Sequence, residues 1–198
     1  VIILAAGKGT RISRMVQAVP KSTLPIAGVP LIKLTVDILL KRGMDISVCV
    51  GYQHNKIRDV LKGMPIKYYY NPFFDVTNSI GSLWMAQEEL DDDVLIINAD
   101  VFFSEAILDM VLEDPHEVVM MVDKTRTKTG DYFFSTTDNG CIRAYGKDLP
   151  LQQRKCEYVG IAKLKMEFVP IFRKRLNELI EKQQHNLWWE NVIYSFTD

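Results

Sequence analysis

Several groups of residues in this sequence have the types and spacing to do chemistry. The first is a run of positive charge around glycines near the N-terminus. Lys8, Arg11, Arg14 and Lys21 all precede the first acidic residue, Asp37, and Gly7 and Gly9 flank Lys8. Glycine accepts dihedrals that other residues reject, so a glycine-rich turn can point several backbone N–H groups at one anion. The chemistry this suits is phosphate binding. The spacing is neither a Walker A loop nor the dinucleotide fingerprint, and the residues alone also fit an ordinary strand exit with surface lysines. A second candidate is Asn98-Ala99-Asp100, at the end of an apolar run. In an open α/β sheet ligands sit beyond the carboxyl ends of the strands. A carboxylate there, near phosphates, is a natural Mg²⁺ ligand, so Asp100 is the expected metal residue; the alternative is an aspartate at a helix start. Asn78 and Ser82 lie four apart and share one face of an expected helix. They suit hydrogen bonds to a pyrimidine edge or ribose, and Thr77 or Asn78 equally suits an N-cap. The last group is Trp188-Trp189-Glu190, with Tyr194 nearby. Aromatic faces attract quaternary ammonium groups, and a carboxylate completes such a cage. An aromatic-rich helix also packs a core, and adjacent tryptophans on a helix diverge, so at most one is expected to face a site.

The ordered string LAAGKGTR followed by PKSTLPIAGVPLI resembles the signature of nucleotidylyltransferases of the sugar-phosphate type. That pattern is Leu-Ala-Ala-Gly, then Gly-Thr-Arg, then Pro-Lys-x-x-x-Pro and a Gly-x-Pro turn. The resemblance implies that Leu4, Ala5, Ala6 and Gly7 line the base and ribose. It implies that Gly9, Thr10 and Arg11 wrap a triphosphate, with Lys8 and Arg11 adding charge. Lys21 would neutralise charge where the co-substrate phosphate meets the α-phosphate, and Asp100 would carry the metal. Asn-Ser-x-x-Ser-Leu at 78–83, in place of the Gly-Thr-Ala common in sugar enzymes, resembles the branch acting on phosphocholine and similar phosphorylated amino-alcohols or phosphonates. Glu157-Tyr158-Val159-Gly160 resembles the strand that touches the co-substrate, and Asp131 and Tyr132 are further candidates. The family's second metal aspartate, in a Glu-Ile-Asp segment, has no counterpart here; Glu190 is the nearest stand-in. The expected activity is therefore transfer of CMP from CTP to a phosphocholine-like acceptor with release of pyrophosphate, assisted by Mg²⁺. The alternatives are a 2-aminoethylphosphonate cytidylyltransferase, a sugar-1-phosphate nucleotidylyltransferase, or a catalytically silent nucleotide-sensing module.

The elements that must position these residues alternate along the first part of the chain. Apolar runs at 1–5, 46–50, 66–70, 94–97 and 118–122 read as strands, the first continuous enough to be buried and parallel. Helical patterns cover 31–42, 54–61, 78–90 and 104–112, with Gly43 and Gly63 where helix ends are expected. This alternation predicts a Rossmann-like, doubly wound α/β sheet, mostly parallel. After Val122 the pattern changes. Residues 131–136, 141–145 and 158–164 read as shorter strands of a small antiparallel extension, with a hairpin turn at Asp138-Asn139-Gly140. Helices are expected at 168–184 and 187–196. One domain, 1–198, results, with 1–122 as nucleotide-binding core and 123–198 as the co-substrate part.

Composition narrows the function class. The net charge of −1 gives no whole-molecule field for nucleic acid or an anionic membrane, so the N-terminal positive charge points to a small anionic ligand. Three widely spaced cysteines, Cys49, Cys141 and Cys156, argue against a disulfide framework and for a reducing cytoplasm. No Cys/His cluster suggests structural zinc, and no apolar run is long enough to span a bilayer. The chain starts inside a strand without Met and stops without a capping signal, so it is expected to continue at both ends.

Overall fold

The structure is a computed structural model and describes residues 1–9 and 19–197. The strands are β1 (Ile2–Ala5), β2 (Pro25–Ile26), β3 (Val29–Pro30), β4 (Ile46–Val50), β5 (Ile66–Tyr70), β6 (Val94–Asn98), β7 (Val118–Asp123), β8 (Phe133–Thr136), β9 (Ile142–Gly146) and β10 (Cys156–Leu164). The helices are α1 (Leu31–Lys41), α2 (His54–Val60), α3 (Ser79–Met85), α4 (Glu105–Glu113), α5 (Val169–Glu181) and α6 (Glu190–Tyr194). Among the described residues, eight strands form one mixed sheet in the order β5-β4-β1-β6-β10-β8-β9, with β7 on β10, while β2 and β3 form a separate small hairpin.

β5, β4, β1 and β6 are parallel neighbours. Their near-continuous apolar sequences follow from burial on both faces. Side chains alternate across β1. Ile2 and Leu4 pack with α3, α5 and α6, whereas Ile3 and Ala5 pack with α1, α2 and α4. The result is the expected three-layer α/β architecture, with helices on both faces of a mostly parallel half-sheet.

The change of pattern after Val122 does not mark a break in the sheet. β10 is the longest strand and fully enters it. It runs antiparallel to β6 through residues 161–164, to β8 through 156 and 157, and to β7 over both stretches. Gly160, at φ +84°, sits where the β7 register shifts. The expected helix at 78–90 is broken: α3 stops at Met85, and a single 3-10 turn covers Gln87–Glu89. The expected helix at 187–196 shrinks to the one-turn α6, because Leu187 and Trp188 lie in a segment of turns whose Leu187 carbonyl accepts from the Ile80 N–H at the start of α3.

Candidate active site

The carboxyl ends of β1 and β6, the start of α3, the front half of β10 and α6 enclose a cavity of about 850 Å³. Its floor is Leu4, Ala5, Ala6 and Gly7, where β1 runs out. Gly9 follows at φ +61°, and a Cβ added there would lie 2.6 Å from the Lys21 Cγ. The stem of Lys21 thus lies over Gly9, which explains why glycine is needed at that point. Lys21 opens the 3-10 turn Lys21–Thr23, and its ammonium stands 3.7 Å from the Asp100 carboxylate at the end of β6. Lys8 lies at the rim, 4.0 Å from Asp75 and 5.5 Å from the Phe74 ring centre. Thr10 and Arg11, the other residues expected around a triphosphate, lie outside the described residues.

On the α3 side, Asn78 is the N-cap: its side-chain oxygen accepts from the Ser79 N–H at 2.8 Å. Ser82 lines the cavity but is buried, and its hydroxyl accepts from the Asn71 side chain at 3.0 Å. Asn71 also donates to Thr77 at 3.0 Å, so this polar network fixes the loop that carries Asn78. Both residues expected at the nucleotide line the cavity, each with a structural bond of its own.

The opposite end is aromatic and acidic. Tyr132, Tyr158, Trp188 and Tyr194 line it together with Asp123, Asp131, Glu157 and Glu190. Tyr132 stacks on Tyr194 at 5.5 Å between ring centres and meets Trp188 edge-on at 5.4 Å. The hydroxyl of Tyr158 is buried and has no hydrogen-bond partner among the described residues. Desolvation pushes the Tyr132 phenol up to about 12 and that of Tyr158 well above its usual range, so both are neutral hydroxyls near pH 7.

The paired tryptophans lie just before α6, and they split. Trp188 faces the cavity. Trp189 does not: it is 0% exposed in the core. Its placement in the co-substrate group is corrected, and the reason is a hydrogen bond. Its indole N–H donates to the Asn98 side-chain oxygen at 3.0 Å, and its backbone N–H donates to the Ser79 hydroxyl at 3.0 Å. Asn98 uses its amide nitrogen to donate to Glu190 at 3.0 Å. Trp189 therefore orients Asn98, and Asn98 holds the Glu190 carboxyl at the cavity wall. Burial raises the Glu190 pKa to about 7, against the pull of the Asn98 bond.

Glu157 lines the cavity, and both of its oxygens are engaged, one accepting from the Asp131 N–H at 2.7 Å and the other paired with Arg126 at 2.7 Å. Its work is to hold the loop between β7 and β8. Reading the residues in order missed Arg126, Asp123 and Asn98 as site residues. Arg126 sits in a Lys/Thr/Gly-rich stretch that carries no motif, and only the fold brings it to the cavity. Asn98 was visible as part of Asn98-Ala99-Asp100, but its partner is ninety-two residues away.

Among the described residues, no group of three or more His, Cys, Asp or Glu side chains could hold a metal ion. What the cavity offers a metal is the half-exposed oxygen donor of Asp100 beside the glycine-rich end. That fits Mg²⁺, which is commonly held by one or two carboxylates with substrate phosphates completing its shell.

Comparison with known proteins accords with this geometry. The pattern that defines the MobA-like NTP transferase domain matches residues 1–187. The chain is 33% identical over 119 residues to the CMP-5'-(3-aminopropyl)phosphonate synthase of Streptomyces rubellomurinus, an alignment that covers 58% of this chain and 19% of that protein. It is 29% identical over 202 residues to the 2-aminoethylphosphonate cytidylyltransferase of Lancefieldella rimae, covering 97% of this chain and 78% of that one. The chain thus spans about a fifth of the first of these relatives. The CTP:phosphocholine cytidylyltransferase of Streptococcus pneumoniae superposes with a TM-score of 0.76 at 21% identity, over 97% of this chain and 82% of that one; at that identity the likeness is one of fold.

Proposed function

Since the chain belongs to the MobA-like NTP transferase domain family, we propose that it is a cytidylyltransferase. In this reading it joins CMP from CTP to a small acceptor that bears a phosphate or phosphonate at one end and a primary amine at the other. The relatives named for aminoalkyl phosphonates support the class of acceptor. The observation that carries the reading is the division of the cavity. Its glycine-rich end holds Lys8 and Lys21, and its far end holds four aromatic rings around Glu190.

An acceptor oxygen attacks the α-phosphorus of CTP. The new O–P bond forms as the bond to the β-phosphate's bridging oxygen breaks, and pyrophosphate leaves in line. No covalent enzyme intermediate is required, so catalysis is alignment and charge stabilisation. Lys8 and the Gly7–Gly9 backbone bind the triphosphate. Lys21, loosely paired with Asp100 at 3.7 Å, is free to follow charge as it builds on the transferring group. Asp100 is the residue that would hold Mg²⁺, which when bound offsets negative charge on the phosphate oxygens. At the other end the Glu190 carboxyl meets the ammonium of the acceptor, and the cation draws its raised pKa back down, so that it binds as a carboxylate.

The sequence favoured phosphocholine. Glu190 is the reason for preferring a primary amine. Its carboxyl lines the cavity and can accept N–H bonds from an ammonium, whereas a trimethylammonium group has no N–H to give. The stacked Tyr132, Tyr194 and Trp188 wall would suit either cation. Glu190→Gln tests this. It is expected to raise KM for 2-aminoethylphosphonate by about tenfold, the size of one hydrogen bond to a charged group, and to raise KM for phosphocholine less. An equal effect on both acceptors would contradict the primary-amine assignment.

A further inference from the structure

Three cations line the cavity among the described residues: Lys8, Lys21 and Arg126. Lys8 and Lys21 belong to the glycine-rich end. Arg126 alone comes from the β7–β8 side, where the other charged lining residues are all carboxylates. An acceptor that carries a phosphate or phosphonate must enter this acidic half, and without a cation there it would be repelled. We propose that Arg126 is the residue that recognises the acceptor's phosphate or phosphonate. This rests on the cytidylyltransferase reading above.

The way Arg126 is held supports that role. Its Nε lies 2.7 Å from one oxygen of Glu157. The second Glu157 oxygen accepts from the Asp131 N–H at 2.7 Å. The loop backbone passes directly over this carboxyl: a Cβ on Gly130 would lie 2.6 Å from the Glu157 Cδ. Glu157 is buried, and Arg126 is more than half exposed. A pair so placed adds little stability, since solvent screens the guanidinium while the carboxylate loses its hydration. What the arrangement achieves is orientation. An arginine that gives Nε to its carboxylate keeps its two terminal nitrogens, which make no bond to another side chain among the described residues, as a planar fork for a tetrahedral anion. Asp123 sets the start of the same loop, accepting from the Thr125 N–H at 2.8 Å and its hydroxyl at 2.7 Å. The loop is thus pinned at both ends, with Arg126 between. Glu157 is a positioning residue for Arg126.

The anion could belong to the nucleotide or to the acceptor, and the test separates the two. With divalent cations chelated, so that no turnover occurs, CTP binding is measured first by calorimetry. Methylphosphonate, which carries the anion without the amine, is then titrated onto the CTP-loaded protein and followed by phosphorus NMR. Arg126→Gln is expected to weaken methylphosphonate by about ten- to a hundredfold, as loss of charge-assisted hydrogen bonds predicts, with CTP affinity unchanged. Arg126→Lys, which keeps the charge and loses the fork, should fall between. Unchanged methylphosphonate binding in Arg126→Gln overturns the assignment. So does an equal loss of CTP binding, which would place Arg126 on the triphosphate, and so does a wild-type protein that binds no methylphosphonate. Because methylphosphonate has no amine, an error in the amine assignment would show in turnover and leave this titration as expected.

Discussion

Lys21 and Glu190 sit at opposite ends of the cavity and make opposite demands on charge. The Lys21–Asp100 contact at 3.7 Å, with Asp100 half exposed, contributes at most about 1 kcal/mol to folding. Lys21→Ala is therefore expected to lower kcat by about a hundredfold or more, the range for loss of one transition-state donor, with the melting temperature nearly unchanged. Steady-state rates and a thermal melt check both. Glu190 is the converse case, because its burial works against its own charge. Its folded pKa, about 7, lies above the ordinary 4.5. The stability linked to it is fully present below pH 4.5 and is lost as pH rises through about 7. On the order of 3 kcal/mol is at stake. Melts of the ligand-free protein across that window should show a decline with rising pH. Glu190→Gln should flatten it; an unchanged slope would mean that some other group titrates.

At the scale of elements, the C-terminal segment fastens the start of α3 to the end of β6. The N–H groups of Asn78 and Ile80 donate to the carbonyls of His185 and Leu187. Trp189 then bonds Ser79 on one side and Asn98 on the other. Trp189→Phe keeps most of the ring and removes the indole N–H, leaving the Asn98 oxygen unpaired. The expected loss is about 1–3 kcal/mol of stability, with KM for the acceptor raised because Glu190 loses its fixed partner. A stability loss without a change in acceptor KM would limit Trp189 to packing. The sequence made the strand and helix positions of the first half legible, because apolar runs and glycine stops report local structure directly. β4 and β5 fall on the expected residues. It did not show which tryptophan faces inward. α6 is shorter than the pattern suggested, and the choice depends on Asn98, which is distant in sequence.

For the molecule as a whole, one sheet carries both halves of the site. β10 lies antiparallel beside β6 and projects Glu157 and Tyr158 past the carboxyl ends of the parallel strands. This explains why the glycine-rich end was readable and the aromatic, acidic end only partly so. Residues 4–9 and 100 lie where their own strands end, and Lys21 follows residues 4–9 within the same N-terminal motif. Arg126, Tyr158 and Glu190 meet only after β7, β8, β10 and α6 assemble. Among the described residues no helix is long and apolar enough to cross a membrane. The described cysteines are free thiols, as their odd number and wide spacing led us to expect. The most direct test of the central claim is a matrix of the four nucleoside triphosphates against 2-aminoethylphosphonate, phosphocholine, phosphoethanolamine and hexose-1-phosphates, read by pyrophosphate release with Mg²⁺ present. Release is expected with CTP and the primary-amine acceptors, with weaker release from phosphocholine and none from the sugar phosphates. Release with a hexose-1-phosphate and UTP, dTTP or GTP, and none with CTP and any amine-bearing acceptor, would contradict it.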